Sequence, residues 1–149
     1  MIYQTDKRLR LEARDNECYL FCVLSIHEEV GAHELTVAQI SDIHRILVDQ
    51  KYIRMDGWLN EKAVRGIGQI TSGLTGKHVY MRQVPDGEAF THLIAKFTRK
   101  DSKGKIWTHF VRVASDMQTV IYDPYDAAGS RTVRGGSIES YRFVYAEAI

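Results

Sequence analysis

The spacing of hydrophobic residues changes midway along the chain, from helical periodicity to alternation. The segment Cys18–Ile26 is apolar on almost every side, which is typical of a helix that is buried over most of its surface. The segment Thr36–Gln39 has a capping-box pattern, and apolar residues follow it at helical spacing to about Lys51, which predicts a second helix. A third helix is predicted from about Asn60, with Gly73 as its stop.

After Gly76 the chain alternates apolar and polar residues and is rich in β-branched and aromatic types, which predicts strands. The polar turn Lys100–Gly104 separates two such runs and predicts a hairpin. The predicted strands lie around Val79–Met81 and at 90–98, 106–113, 119–122 and 141–145. Helices followed by strands indicate an α+β fold in a single domain, residues 1–149, with N-terminal helices and a C-terminal antiparallel β-sheet.

Composition places the chain among ordinary globular proteins. It has 149 residues, of which 44% are hydrophobic and 26% charged, and its formal net charge is +1. The chain therefore lacks the basic excess that is typical of proteins that bind nucleic acid or membrane surfaces. We expect neither nucleic acid nor membrane as a partner, and the sequence carries no signal for a particular oligomeric state.

Cysteine and histidine usage argues against metal and disulfide chemistry. Cys18 and Cys22 are too few for a disulfide scaffold, and the six histidines are scattered. In the predicted hairpin His92 can face His109, but a metal ion held by these two would lack a third ligand, so we expect neither metal nor organic cofactor. The first fifteen residues have no apolar stretch typical of a secretory signal. We expect a cytoplasmic setting, in a bacterial cell or a phage-infected host.

Three residues form a candidate catalytic constellation. Cys18 lies at a predicted helix start, where the helix dipole and free N–H groups favour a thiolate. His109 lies inside a predicted strand, and an imidazole beside the thiol supplies a general base. Asp123 ends the next predicted strand and can accept from the second ring nitrogen of His109 if the two strands are antiparallel neighbours.

The residues around Cys18 leave alternatives open. Cys22 is a competing nucleophile, but it lies one turn deeper, where the field of the helix end has faded, so we expect it to be inert core. Asp15 or Asn16 is expected to cap the helix. Glu17 would raise the pKa of the Cys18 thiol if it pointed inward, and we expect it to face solvent instead.

The segments 16–20 (NECYL), 108–113 (THFVRV) and 121–125 (IYDPY) together resemble the papain-like cysteine peptidases that cleave double-glycine leaders in bacteriocin export. The resemblance implies a papain-like fold in which the cysteine-bearing helix packs on the sheet. It also implies Cys18 as nucleophile, His109 as base and Asp123 as the residue that orients the imidazole. A weaker likeness connects the chain with small phage- and plasmid-encoded proteins of unknown function.

The chain departs from this family at the oxyanion donor. The family usually has a Gln about six residues before the cysteine, where this chain has Glu12, and the nearest upstream glutamine is Gln4. Candidate donors are Asn16 and the backbone N–H of Cys18. We therefore expect a thiol hydrolase that acts on a peptide, isopeptide or amide bond of a peptide or protein. Acyl transfer to an amine would use the same residues. The alternative is a catalytically silent module of the same fold that engages another protein.

Overall fold

The computed structural model describes residues 1–4, 6–9, 17–53, 59–60, 63–100, 102–125 and 136–149. Within these ranges three helices precede five strands, which confirms the α+β class. The helices are α1 (Cys18–Gly31), α2 (Val37–Asp49) and α3 (Val64–Thr75). The strands are β1 (Val79–Val84), β2 (His92–Lys100), β3 (Ile106–Val113), β4 (Val120–Tyr122) and β5 (Ser137–Ala148). No helix among the described residues is both long enough and apolar enough to span a bilayer.

Helix α1 is the central helix of the fold, as its uniformly apolar sequence predicts. Every residue from Tyr19 to Glu28 is buried. The helix continues to Gly31, beyond the predicted apolar segment, and ends where Ala32 adopts a left-handed conformation with φ 50°. The N-cap is Glu17, whose side chain makes no capping hydrogen bond. Asp15 and Asn16, the predicted caps, lie outside the described residues.

Local sequence signals set the start of α2 and the end of α3. The predicted capping box is confirmed, because the Gln39 backbone N–H donates to the Thr36 hydroxyl while the Gln39 side chain accepts from the Thr36 N–H. The prediction that Gly73 stops the third helix is wrong. The helix runs through it to Thr75, and Gly76 is the C-cap with φ 70°. This left-handed conformation favours glycine, whereas Gly73 lies within the helix.

The five described strands form one antiparallel sheet in the order β1-β5-β2-β3-β4. The predicted hairpin is confirmed, with Phe97 opposite His109 in the β2–β3 register. Strand β5 begins at Ser137 and is longer than predicted, because it pairs with both β1 and β2. Strand β4 pairs with β3 only around Arg112 and Val113, and this pairing brings the end of β4 beside β3.

The buried side chains of the described residues form two apolar clusters, one on each face of the sheet. Successive residues of β2 alternate between them: Ile94 belongs to the cluster beneath the helices, and Leu93 and Ala95 belong to the other. Helix α1 packs across the sheet and contacts β3, β5, β1 and β2. The start of α1 thereby lies near Phe110 of β3, whose ring meets that of Tyr19 edge-on at a centroid distance of 5.0 Å.

Candidate active site

Cys18 is the first residue of α1, and its thiol is partly exposed. The first backbone hydrogen bond of the helix joins the Phe21 N–H to the Glu17 carbonyl at 3.0 Å. The N–H groups of the first turn have no partner within a helix, so they give this end a partial positive charge. The thiol therefore lies where a negative charge on sulfur is stabilised.

His109 and Asp123 are brought together by the pairing of β3 with β4. His109 Nε2 donates to Asp123 Oδ1 at 2.7 Å, and both side chains are buried. The same carboxylate oxygen accepts the backbone N–H of Tyr125 at 2.9 Å. The Tyr125 ring stacks on the imidazole, with centroids 4.8 Å apart and an interplanar angle of 14°. One oxygen thus fixes the imidazole edge, while the tyrosine covers its face.

The His109 imidazole also interacts with the Cys18 thiol. Burial by itself lowers the pKa of His109, but hydrogen bonds with Asp123 and Cys18 and the charges of those two groups outweigh it. The pKa rises from 6.5 to about 9. The other ring nitrogen, Nδ1, is buried and has no hydrogen-bond partner among the residues that the structure describes. Catalytic hydrogen bonds are often long or poorly aligned in unliganded enzymes and shorten when substrate binds.

Cys22 has the surroundings of a core residue. Its thiol is fully buried and donates to the Phe110 carbonyl at 3.5 Å. Burial raises the pKa of this thiol well above its ordinary value, and the charge of Cys18 adds to the effect. A neutral, hydrogen-bonded thiol is a poor nucleophile, which leaves Cys18 as the candidate.

Glu17 does not face solvent as predicted. Its side chain is only 1% exposed, and neither carboxylate oxygen has a hydrogen-bond partner among the described residues. Burial raises the pKa of this carboxyl from 4.5 to about 8. Glu17 is therefore neutral at neutral pH, so it places no negative charge beside Cys18. Asn16, the candidate oxyanion donor, and Glu12, at the position of the family's usual Gln, lie outside the described residues.

The N-terminal segment supports the Asp123 turn, a role that sequence reasoning missed. The Gln4 backbone N–H donates to the Pro124 carbonyl at 2.7 Å, and the Gln4 side chain is buried. The Tyr122 hydroxyl donates to the Ile2 carbonyl at 3.2 Å. No local motif signals these contacts, because the partners lie far apart in the chain. The distance of Gln4 from Cys18 in sequence gave no hint that Gln4 lies beside the turn.

A second imidazole–carboxylate pair lies at the other end of α1. His92 Nε2 donates to Glu29 Oε2 at 2.7 Å, and Arg112 Nη2 donates to the same oxygen at 3.0 Å. The expectation that His92 faces His109 across the hairpin is wrong, because Phe97 occupies that position. Within the ranges described, no three His, Cys, Asp or Glu side chains are grouped as metal ligands would be.

These observations define an α+β protein in which a thiol, an imidazole and a carboxylate lie together at the start of a buried helix. Residues 1–145 match the model of the family described as "Protein of unknown function, DUF261", and the chain belongs to this family. No curated protein and no solved structure matches the chain significantly.

Proposed function

We propose that the protein is a papain-like thiol hydrolase that cleaves a peptide, isopeptide or amide bond of a peptide or protein. The observation that carries the proposal is the position of the His109 ring. It is bonded to Asp123 through one nitrogen and interacts with the Cys18 thiol, which stands at a helix N-terminus. A nucleophile, a base and a group that orients the base are the three parts that covalent catalysis by cysteine needs.

The reaction begins from an ion pair in which His109 already holds the proton of the Cys18 thiol. The thiolate attacks the carbonyl carbon, and the C=O electron pair moves to oxygen. The imidazolium of His109 then gives its proton to the leaving amine as the C–N bond breaks, which leaves a thioester on Cys18. Water, deprotonated by His109, attacks the thioester and releases the carboxylic acid and the free thiol. Asp123 holds the ring and stabilises its charged form throughout.

The raised pKa of His109 supports an ion pair as the resting state. With a pKa of about 9, the ring keeps its proton at neutral pH, and a thiolate is its natural partner. The Cys18 backbone N–H at the start of α1 is a donor for the oxyanion. We propose Asn16 as the second donor. The side chains carry out each proton transfer, so the proposal includes no cofactor. We also propose that the protein acts in the cytoplasm.

The pH dependence of iodoacetamide labelling, read at each cysteine by mass spectrometry, tests this proposal. We expect Cys18 to label rapidly down to about pH 6, because a thiolate paired with imidazolium persists there. In His109→Ala this fast labelling disappears at about pH 6. Cys22 is the internal reference and labels slowly throughout, since it is buried.

The matched control is His92→Ala. This variant removes an imidazole that is also hydrogen-bonded to a carboxylate but lies at the other end of α1 from Cys18. It leaves Cys18 labelling unchanged. If Cys18 reacts only near the ordinary thiol pKa of about 8.5, or if His109→Ala has no effect, the thiol-hydrolase proposal fails. That result supports the alternative, a catalytically silent module that engages another protein.

A further inference from the structure

A cavity of about 310 Å³ lies beside β1, and two arginines line it. Arg65 is near the start of α3 and Arg82 is in the middle of β1, so two elements bring positive charges to one place. Gln83, Val84 and Pro85 form the rest of the wall. Both arginine side chains are exposed. A cavity with two guanidinium groups and an apolar corner suits an anion that carries a short aliphatic stem.

Each of the two guanidinium groups lies over a tyrosine ring. Arg65 Cζ lies 5.8 Å from the centre of the Tyr80 ring, and Arg82 Cζ lies 5.8 Å from that of Tyr145. The two rings pack against each other, with centroids 6.4 Å apart. A cation–π contact of this kind forms no hydrogen bond with the guanidinium N–H groups. The contacts with the rings therefore leave these donors for an acceptor.

The existing partners of these arginines are weak. Among the described residues no carboxylate forms an ion pair with Arg65. Arg82 Nη1 lies 3.7 Å from Glu88 Oε2, and both side chains are about half exposed. Ion pairs of this exposed kind contribute little, so an incoming carboxylate can displace Glu88.

The cavity wall is connected to the candidate active site. Gln83 Oε1 accepts a hydrogen bond from the Tyr19 hydroxyl at 3.2 Å, and Tyr19 directly follows Cys18. The Tyr19 ring also packs on Phe110, which directly follows His109. A third arginine, Arg142, lies over the Phe110 ring at 5.8 Å. A third positive charge therefore lies against Phe110, the ring that Tyr19 contacts.

We infer that the cavity of Arg65 and Arg82 is a specificity subsite, which binds an acidic side chain of an extended peptide substrate a few residues from the bond at Cys18. This inference rests on the proposed function. The Tyr19–Gln83 hydrogen bond joins the residue after Cys18 to the cavity wall. An extended peptide advances about 3.3 Å per residue, so we infer a spacer of one to four residues between the bond at Cys18 and the glutamate. The glutamate carboxylate accepts from the two guanidinium edges, and its methylenes contact Val84 and Pro85.

Haloacetyl peptides test the subsite through Cys18. Each peptide carries a bromoacetyl group at its N-terminus and Glu at the first, second, third or fourth position after it, with alanine elsewhere. Its partner has Gln at the same position. We expect the Glu peptide of one spacing to label Cys18 about tenfold faster than its Gln partner. This preference is lost in Arg65→Gln/Arg82→Gln and retained in Arg45→Gln, which removes an exposed arginine of α2.

A second measurement separates this inference from the proposed function. Acetyl peptides of the same sequences cannot react, and their binding to Cys18→Ser is followed through the side-chain N–H signals of Arg65 and Arg82 by NMR. Selective shifts with the Glu peptide support the subsite even if Cys18 proves unreactive, a result that would overturn only the hydrolase. If neither labelling nor binding prefers Glu at any spacing, or if the preference survives in the double variant, the subsite is overturned.

Discussion

Among the residues that the structure describes, two imidazole–carboxylate pairs have the same bond length, but their rings differ in protonation. His109 Nε2 lies 2.7 Å from Asp123 Oδ1, and His92 Nε2 lies 2.7 Å from Glu29 Oε2. Nevertheless the pKa of His109 rises to about 9, whereas the pKa of His92 is lowered from 6.5. One ring is charged at neutral pH and the other is neutral, although each donates the same hydrogen bond.

The surroundings of each pair explain the difference. For His92, burial is the largest effect and lowers the pKa, and the charge of Arg112 lowers it further, so the bond to Glu29 does not compensate. Glu29 also divides its attraction between His92 and Arg112, and its side chain is 55% exposed. Asp123 is only 1% exposed, and the contact with Cys18 adds to its effect on His109. Neighbouring charges therefore decide the protonation of each ring more than bond length does.

Asp123→Asn removes the charged partner of His109 and has the largest effect that we expect. An amide oxygen still accepts from Nε2, but only Cys18 then offsets the burial of the ring. The pKa of His109 therefore falls well below about 9. Cys18 alkylation at about pH 6.5 falls by about 100-fold, as expected when a thiol loses its protonated partner. Labelling rates and the NMR titration of the His109 ring measure both effects.

Glu29→Gln is the matched control, because it makes the same change in the other pair. It alters the titration of His92 and leaves Cys18 labelling unchanged. If His109 titrates in Asp123→Asn as it does in the natural protein, the carboxylate does not set its charge, and the contrast between the two pairs loses its explanation.

Much of the fold could be predicted from the sequence, because its signals are local. The apolar segment that begins at Cys18 predicts α1, and the alternating runs around Lys100–Gly104 predict the hairpin, since burial and turn chemistry act over a few residues. Element ends were less predictable. Gly73 and Gly76 both carry a stop signal, and only the conformation of the chain distinguishes them.

The part of the candidate site that could be predicted from the sequence is the part that follows from the pairing of neighbouring strands. Placing β3 beside β4 is enough to bring His109 and Asp123 together. The burial of Glu17 depends on how α1 seats on the sheet, and the contact of Gln4 with Pro124 joins distant segments. Neither has a local pattern, because tertiary packing creates both.

Glu17→Gln tests how burial changes the pKa of a carboxyl group that, unlike Asp123 and Glu29, is not paired with an imidazole. Its pKa is raised by burial from 4.5 to about 8. Between these values the native state retains a proton that the unfolded chain has released, so the natural protein loses stability as the pH rises. A neutral amide has no such dependence. The stability of the variant relative to the natural protein therefore increases by about 3–4 kcal/mol from about pH 4.5 to about pH 7.5.

Urea unfolding at several pH values measures this difference, and His109 contributes equally to both proteins. Glu34→Gln, at an exposed glutamate beyond α1, is the control and leaves the pH dependence as it is. Parallel stability curves for Glu17→Gln and the natural protein would mean that Glu17 is ionised in the native state. A negative charge would then lie beside Cys18 and disfavour the thiolate that His109 stabilises.

Arg112→Gln has the smallest expected effect. It removes the positive charge that helps to lower the pKa of His92 relative to that of His109. Arg112 donates to Glu29 at 3.0 Å and to the Ser25 hydroxyl at 3.3 Å, and its positive charge lowers the pKa of His92. Without that charge, Glu29 acts on His92 alone, and we expect the pKa of His92 to rise. The NMR titration of His92 measures the rise, and Arg142→Gln on β5 is the control. A rise brings the pKa of His92 closer to that of His109. It would identify the charge of Arg112 as a cause of the difference between the two pairs. A pKa that stays low would leave burial of the ring as the sole cause.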